Sequence, residues 1–181
     1  APAENVLFYD MPGELQGLTV ADFLSERGAL LEIVTPDQTI GAGVGDTSRI
    51  HFMKRLYTAD VVMTPSQYLT GPHREGNKLI ALLSEYHTNR EEEREVDHVV
   101  YDFGTAPRDD LYHALKPGSR NLGELDQRAF VALAPQAVTA NPEGAYQLYR
   151  LGDAVYGRNV HAAIYDAARL MRVQVRYANQ E

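Results

Sequence analysis

Four residues near the carboxyl end of the chain have the types and spacing of a nucleotide-binding corner. Gly152 and Asp153 follow a predicted apolar strand over Gln147 to Leu151, and Asn159 and His161 open the helical segment that comes next. Open α/β sheets place their ligands at the carboxyl ends of the strands, where a carboxylate can accept hydrogen bonds from ribose or ribityl hydroxyls. The following helix would direct N–H groups and a positive dipole end at a phosphate. The spacing therefore predicts one edge of a nucleotide site.

The same four residues also suit a structure with no ligand. Gly-Asp corners are common in tight turns, because glycine adopts left-handed backbone angles and aspartate bonds to nearby backbone. His161 either faces the same ligand as Asp153 or is an exposed polar residue on a helix. The sequence leaves both alternatives open.

The first strand-to-helix turn lacks the fingerprint of a dinucleotide-binding fold. It contains Gly13 and Gly17, but not in the G-x-G-x-x-G spacing. Glu14 would stand at the helix start, where it would repel a pyrophosphate. The second strand ends at Val34 without the acidic residue that binds a ribose hydroxyl. We expect this part of the chain to bind NAD(P) weakly or not at all.

Buried strands alternate with helices in the first third of the chain. The runs Asn5 to Tyr9 and Leu30 to Val34 are nearly continuous apolar stretches, and apolar residues recur at helical spacing between Glu14 and Arg27. A strand, a helix and a strand within about 30 residues predict a parallel βαβ unit. A second helix and a shorter strand over Ala59 to Met63 extend the sheet.

The periodicity then changes. Residues 66–72, 77–84 and 87–95 are short segments separated by turns, which predicts a three-stranded antiparallel meander. The charged run Glu91 to Glu95 favours an exposed edge strand, since charge there discourages unwanted pairing. Residues 96–103 return to the pattern of a buried strand. The predicted fold class is α/β, a Rossmann-like parallel sheet with an antiparallel meander.

A strand and a helix from a truncated second domain are predicted to follow. We place a nucleotide-binding-like domain at residues 1–106 and the closing part of a second domain at residues 107–181. The final helix is expected to bury one face at helical spacing. That face comprises Val160, Ala163, Ile164, Ala167 and Leu170. If the first half of this domain lies elsewhere, its strand lacks neighbours and could pair with a second copy of the chain, giving a homo-oligomer.

Composition excludes several classes of protein. The net charge of −8 argues against nucleic-acid and anionic-membrane surfaces, which attract basic patches. The chain has no cysteine, so it cannot hold an iron–sulfur cluster or a disulfide, and its six histidines show no metal-ligand spacing. No apolar run is long enough to span a bilayer, and no signal-peptide pattern is present. We expect a cytoplasmic location and no self-contained catalytic constellation.

The whole chain resembles the carboxy-terminal part of the multidomain relatives of old yellow enzyme, which include trimethylamine dehydrogenase, 2,4-dienoyl-CoA reductase and N-methylproline demethylase-like proteins. The resemblance rests on four segments, which are NVLFYD, ADFLSERGALLEIVTPD, VDHVVYDFG and YRLGDAVYGRNVHAAIYDAARL. It implies an NAD(P)-binding-like domain followed by the closing part of an FAD-binding-like domain. In such proteins an amino-terminal barrel carries FMN and a [4Fe–4S] cluster and performs the substrate chemistry.

Several expectations follow from this resemblance. The chain would hold part of a site for FAD or ADP at Gly152, Asp153, Asn159 and His161, and would pack against the FMN barrel of the same polypeptide. Its parent would be an NADH- or FMN-dependent oxidoreductase of the amine N-demethylase or enoate reductase kind, and this chain alone would be inactive. The alternative is a non-catalytic docking module that has lost nucleotide binding.

Overall fold

The computed structural model describes the backbone of residues 4–178 and the side chains of residues 4–172. The chain divides into two compact units, Ala1–Gly104 (unit 1) and Thr105–Glu181 (unit 2). Within the described residues, no helix is long and apolar enough to cross a membrane.

Unit 1 contains a four-stranded parallel sheet with two crossover helices. The elements are β1 Asn5–Asp10, α1 Leu15–Glu26, β2 Leu30–Val34, α2 Asp46–Thr58, β3 Val62–Thr64 and β7 His98–Asp102, where β4 to β6 form a second sheet described below. The strands of the parallel sheet lie in the order β3-β2-β1-β7. This arrangement confirms the predicted α/β class, although β3 begins three residues later than the predicted strand over Ala59 to Met63.

Three antiparallel strands form a second sheet in unit 1, as predicted. They are β4 Gln67–Glu75, β5 Lys78–Glu85 and β6 Glu91–Val96, with β5 in the centre. The charged strand β6 lies at the edge. Arg94 in β6 nevertheless turns inward to bond Glu32 of β2, with Nε 3.2 Å from a carboxylate oxygen. This ion pair joins the two sheets of unit 1.

The alternation of side chains along β1 explains how two layers share one strand. Val6 and Phe8 point to one face and pack with Leu18 of α1 and Leu56 of α2. Leu7 and Tyr9 point to the opposite face and pack against Ala81 and Leu83 of the antiparallel sheet. Successive side chains of a strand point to opposite faces, so a nearly continuous apolar run is what a doubly covered strand requires.

Unit 2 has short helices joined by long irregular segments. Its helices are α3 Asp110–Leu115, α4 Gln127–Val131 and α5 Val160–Ala178, with 3-10 turns at Lys116–Gly118 and Gly152–Ala154. Asp126 caps α4 by accepting a hydrogen bond from the Ala129 N–H at 3.0 Å. Asp109 precedes α3 but bonds Arg150 and His113 through its side chain instead of capping the helix.

The strand predicted over Gln147 to Leu151 is not formed. The segment is assigned to no sheet, and an isolated parallel bridge joins Ser119 to Tyr146 just before it. The buried side chain of Asn121 takes the place of a neighbouring strand. Its Oδ1 accepts from the Leu148 N–H at 2.9 Å, and its Nδ2 donates to the Leu148 carbonyl at 2.8 Å. One amide side chain therefore satisfies the backbone groups that a sheet partner would satisfy.

The predicted buried face of the last helix is only partly buried. Leu170 is 8% exposed and Ala163 and Ala167 are half-buried, but Val160 and Ile164 are 75% and 63% exposed. The apolar spacing was interpreted correctly as a helix, yet unit 2 covers only one flank of the apolar face. The remaining flank leaves large apolar side chains in contact with solvent.

Candidate functional site

Glycine is favoured at position 152 for two reasons. Its φ angle is +58°, in the left-handed region that favours glycine. A Cβ atom at this position would lie 3.2 Å from the Cβ of Ala163 in α5. The corner therefore lets the turn approach α5 closely, so the space beside Gly152 is filled by the protein itself.

Asp153 is the predicted site residue best placed to meet a ligand. It lies in the 3-10 turn and its carboxylate is exposed. Among the described residues it accepts no hydrogen bond, so both oxygens can bond to ligand hydroxyls. Both oxygens of a free carboxylate accept hydrogen bonds, which is the chemistry needed to bind the two hydroxyl donors of a ribose diol.

Asn159 and His161 lie at the start of α5. The Asn159 Oδ1 accepts a hydrogen bond from the Ala162 N–H at 2.9 Å, which makes Asn159 the cap of the helix. One N–H group predicted to face a phosphate is therefore bonded within the chain. His161 is exposed in the first helical turn. The structure thus places the four predicted residues in one turn and one helix start that pack on each other through Gly152 and Ala163.

A cavity of about 370 Å³ lies beside this turn, within unit 2. None of the four predicted residues lines it, but Leu151 and Val155, which flank the turn, both do. The other lining residues are Tyr112, Gly123, Leu125, Gln127, Phe130, Tyr149, Arg150, Asp166 and Leu170. The cavity is therefore mainly aromatic and aliphatic, with a few polar groups, and its volume is in the range of small-ligand sites.

The charged groups of the cavity are already paired. Arg150 lies over the Tyr112 ring, 4.8 Å from its centroid, and bonds Asp109 at 2.7 Å. Asp166 forms an ion pair with Arg158. Neutralised pairs leave no net charge to attract an ionic ligand, so the cavity suits apolar or planar groups.

The first strand-to-helix turn of unit 1 is filled by carboxylates. Asp10 ends β1, is only 1% exposed, and accepts a hydrogen bond from the Gly13 N–H at 3.1 Å through Oδ1. Its Oδ2 has no hydrogen-bond partner among the described residues, and it packs so closely on Gly17 that a Cβ there would overlap it. Burial raises the pKa of Asp10 to about 6, and the nearby charges of Asp102, Asp37 and Glu14 act in the same direction.

These contacts oppose phosphate binding at the position where a dinucleotide-binding fold accommodates it. The Gly13 N–H, which would face a pyrophosphate, is bonded to Asp10, and Glu14 is the residue that precedes α1. Sequence reasoning noted Gly13, Gly17 and Glu14 but missed Asp10. The signal was present, because a polar residue that directly ends a buried strand lies at the ligand edge of a parallel sheet.

Comparison with known proteins shows which sequences this chain is similar to. No family model matches it. It is 42% identical over 175 residues to the N,N-dimethylglycine/sarcosine dehydrogenase of Chromohalobacter salexigens, a match to 94% of the chain and 25% of the relative. It is also 42% identical over 171 residues to a Rhizobium meliloti protein described as a probable N-methylproline demethylase, with the same two coverages. The predicted family resemblance is confirmed.

Solved structures agree with this resemblance at the level of fold. The 6-hydroxypseudooxynicotine amine oxidase from Pseudomonas geniculata N1 matches with a TM-score of 0.63 and 19% identity, over 96% of this chain and 22% of that one. At this identity the match shows the fold alone. The chain spans about a quarter of the length of the curated relatives it matches.

Proposed function

We propose that this chain is the nucleotide-binding-type region of an FMN-dependent oxidoreductase that acts on N-methylated amines. The observation that carries the proposal is the 42% identity over 94% of the chain to a sarcosine dehydrogenase and to a protein described as a demethylase. Substrate oxidation would take place in a barrel elsewhere in the polypeptide, where FMN and a [4Fe–4S] cluster would be held. Enoate reduction is the other reaction class that the family resemblance supports.

Unit 2 is proposed to hold FAD or ADP as the closing part of an FAD-binding-like domain, residues 107–181. Asp153 would bond the ribose hydroxyls, and the start of α5, with Asn159 and His161, would lie near the phosphates. The fit is partial: the exposed carboxylate suits a ribose, while the space at Gly152 is taken by Ala163. The remaining contacts would have to come from another part of the polypeptide.

Unit 1 is proposed to be an NAD(P)-binding-like domain, residues 1–106, that no longer binds a dinucleotide and serves as a docking module. The buried Asp10 and the neighbouring Glu14 favour this role, because negative charge at this turn repels phosphate. The barrel of the same polypeptide is the proposed docking partner.

Substitution of Asp153 tests the nucleotide site in unit 2. In the full-length protein, Asp153→Ala is expected to weaken binding of ADP about 10- to 100-fold, because each hydrogen bond to a charged group contributes about 1.5–3 kcal/mol. Calorimetric titration with ADP measures the change. Asp110→Ala, which removes another exposed carboxylate of unit 2, is the control and should leave the affinity unchanged. Equal affinities for wild type and Asp153→Ala would contradict the proposed site.

Titration with NADH tests the proposal for unit 1. The chain is expected to bind NADH and NADPH with dissociation constants weaker than about 1 mM, which corresponds to less than about 4.1 kcal/mol of binding free energy. The physical reason is the repulsion between the pyrophosphate and the carboxylates of Asp10 and Glu14. Isothermal calorimetry at low ionic strength is the measurement. Micromolar affinity would show that the turn accommodates phosphate after all.

A further inference from the structure

We infer that residues 36–45 of unit 1, which connect β2 to α2, form a lid that is closed over the first strand-to-helix turn, and that negative charge on the neighbouring Asp10 opens it. The inference rests on the proposed function of unit 1 as a domain that binds no dinucleotide. It adds how access to the turn is regulated.

The lid packs directly on the turn that faces the ligand in a dinucleotide-binding fold. The Gly43 N–H donates a hydrogen bond to the Gly13 carbonyl at 2.9 Å. Gly13 has a φ of +63°, and a Cβ atom there would lie 2.7 Å from a carboxylate oxygen of Asp37 and 3.2 Å from the Ala42 nitrogen. The lid therefore fills the space beside Gly13 that a pyrophosphate would need.

The lid is attached to the core of unit 1 by few apolar side chains. Ile40 is 5% exposed and packs in the same core as Leu18 of α1, and Val44 is half-buried against that core. Gln38 and Thr39 are exposed. Segments with few buried apolar contacts open at a lower free energy than core strands, so the lid can open while the sheets of unit 1 stay folded.

Asp10 places a buried carboxylate next to the lid. Its Oδ1 accepts from the Gly13 N–H, its side chain is 1% exposed, and its Oδ2 has no hydrogen-bond partner among the described residues. The charged groups that act on Asp10 are Asp102 at the end of β7, Asp37 in the lid and Glu14 before α1, and all three are carboxylates. An ionised Asp10 in the closed state is therefore buried beside like charges, which is costly.

Opening of the lid removes this cost, because water then hydrates Asp10. Burial raises the pKa of Asp10 to about 6 in the closed state, and hydration returns it towards 3.8. Below about pH 6 Asp10 is protonated and the lid stays closed, whereas above about pH 6 the ionised carboxylate favours the open lid. A dinucleotide is excluded in both states, since the closed lid covers the turn and the ionised carboxylates of the open turn repel phosphate.

Hydrogen exchange of the full-length protein, followed by mass spectrometry on peptides that cover the lid and β2, tests the inference. At pH 7.5 the Gly43 amide is expected to exchange at least about tenfold faster than the amides of β2, because the lid opens without the rest of unit 1. After correction for the intrinsic pH dependence of exchange, it should exchange at least about fivefold faster at pH 7.5 than at pH 4.5, since each pKa unit corresponds to a factor of ten. Equal exchange of the lid and β2, or a smaller change with pH, would overturn the inference.

Asp10→Asn tests whether this carboxylate is the group that opens the lid. Asparagine keeps the shape and the acceptor for the Gly13 N–H but does not ionise, so the increase in lid exchange with pH should disappear. Asp60→Asn, at an exposed position, is the matched control and should retain the increase. The same increase in Asp10→Asn as in the wild type would overturn the inference, and the wild-type comparison at two pH values remains decisive if this variant does not fold. The readout requires no nucleotide, so it is independent of whether unit 1 binds NADH.

Discussion

Asn121→Ala is expected to lower the free energy of unfolding of unit 2 by about 2–4 kcal/mol. Asn121 is fully buried and makes three hydrogen bonds, two with Leu148 and one to the Glu124 carbonyl at 2.8 Å. Alanine would leave both Leu148 backbone groups without partners and would open a cavity. Because whole domains are stable by only about 5–15 kcal/mol, this loss is a large fraction of the total.

Hydrogen exchange of the segments around residues 119–124 and 146–149 measures this effect in unit 2 alone. Asn121→Asp is the informative second variant, since it keeps the shape and the acceptor but cannot donate to the Leu148 and Glu124 carbonyls when ionised. It should also destabilise unit 2 at pH 7. Asn77→Ala, at an exposed turn of unit 1, is the control and should leave unit 2 unchanged. Unchanged hydrogen exchange in both Asn121 variants would contradict a stabilising role for the hydrogen bonds between the Asn121 side chain and Leu148.

The second large effect is a pH dependence of unit 1 that comes from Asp10. Burial raises its pKa from 3.8 to about 6 in the folded chain, so between these values the folded state holds a proton that the unfolded state has released. The contribution of Asp10 to stability therefore falls as pH rises from about 4 to about 6 and then levels off. About two pH units at about 1.4 kcal/mol each give up to about 3 kcal/mol.

Asp10→Asn should remove this dependence, because asparagine has the same shape and does not ionise in this range. Its Oδ1 can still accept from the Gly13 N–H, and its advantage over the wild type should be greatest above pH 6. Urea unfolding of the wild type and of Asp10→Asn at pH 4.5 and pH 7.5 measures how the free energy of unfolding of each protein changes with pH. Asp60→Asn, at an exposed position, is the control and should shift stability equally at the two pH values. If the stability of unit 1 changed with pH equally in the wild type and in Asp10→Asn, the raised pKa of Asp10 would be contradicted.

The framework of unit 1 could be predicted from the sequence because its signals are local and strong. The continuous apolar run of β1 requires cover on both faces, and the structure supplies helices on one face and the antiparallel sheet on the other. The change from helical spacing to short segments with turns marked the meander. The charged run of β6 indicated the edge, since charge is tolerated where one side of a strand meets solvent.

Long-range contacts decided the features that the sequence did not reveal. The segment after Tyr146 has the composition of a strand, but a strand forms only where another backbone lies beside it, and here a single asparagine from a distant loop occupies that place. The apolar spacing of α5 predicted its helical conformation. The burial of Leu170 and the exposure of Ile164 depend instead on which part of the helix surface the rest of unit 2 covers.

The candidate sites show the same division between local and distant information. The sequence predicted Asp153 as a site residue because its position after an apolar run is a local pattern, and this stays a prediction. It could not find the ion pairs of Arg150 and Asp166 that neutralise the cavity, since the partners Asp109 and Arg158 are recognised only in space. Nor could it find that Asp10 is buried without a partner for Oδ2, because burial is set by how closely Gly17 of α1 packs on the end of β1. Residue types fixed which chemistry was possible, and tertiary packing decided which of these groups are free to carry it out.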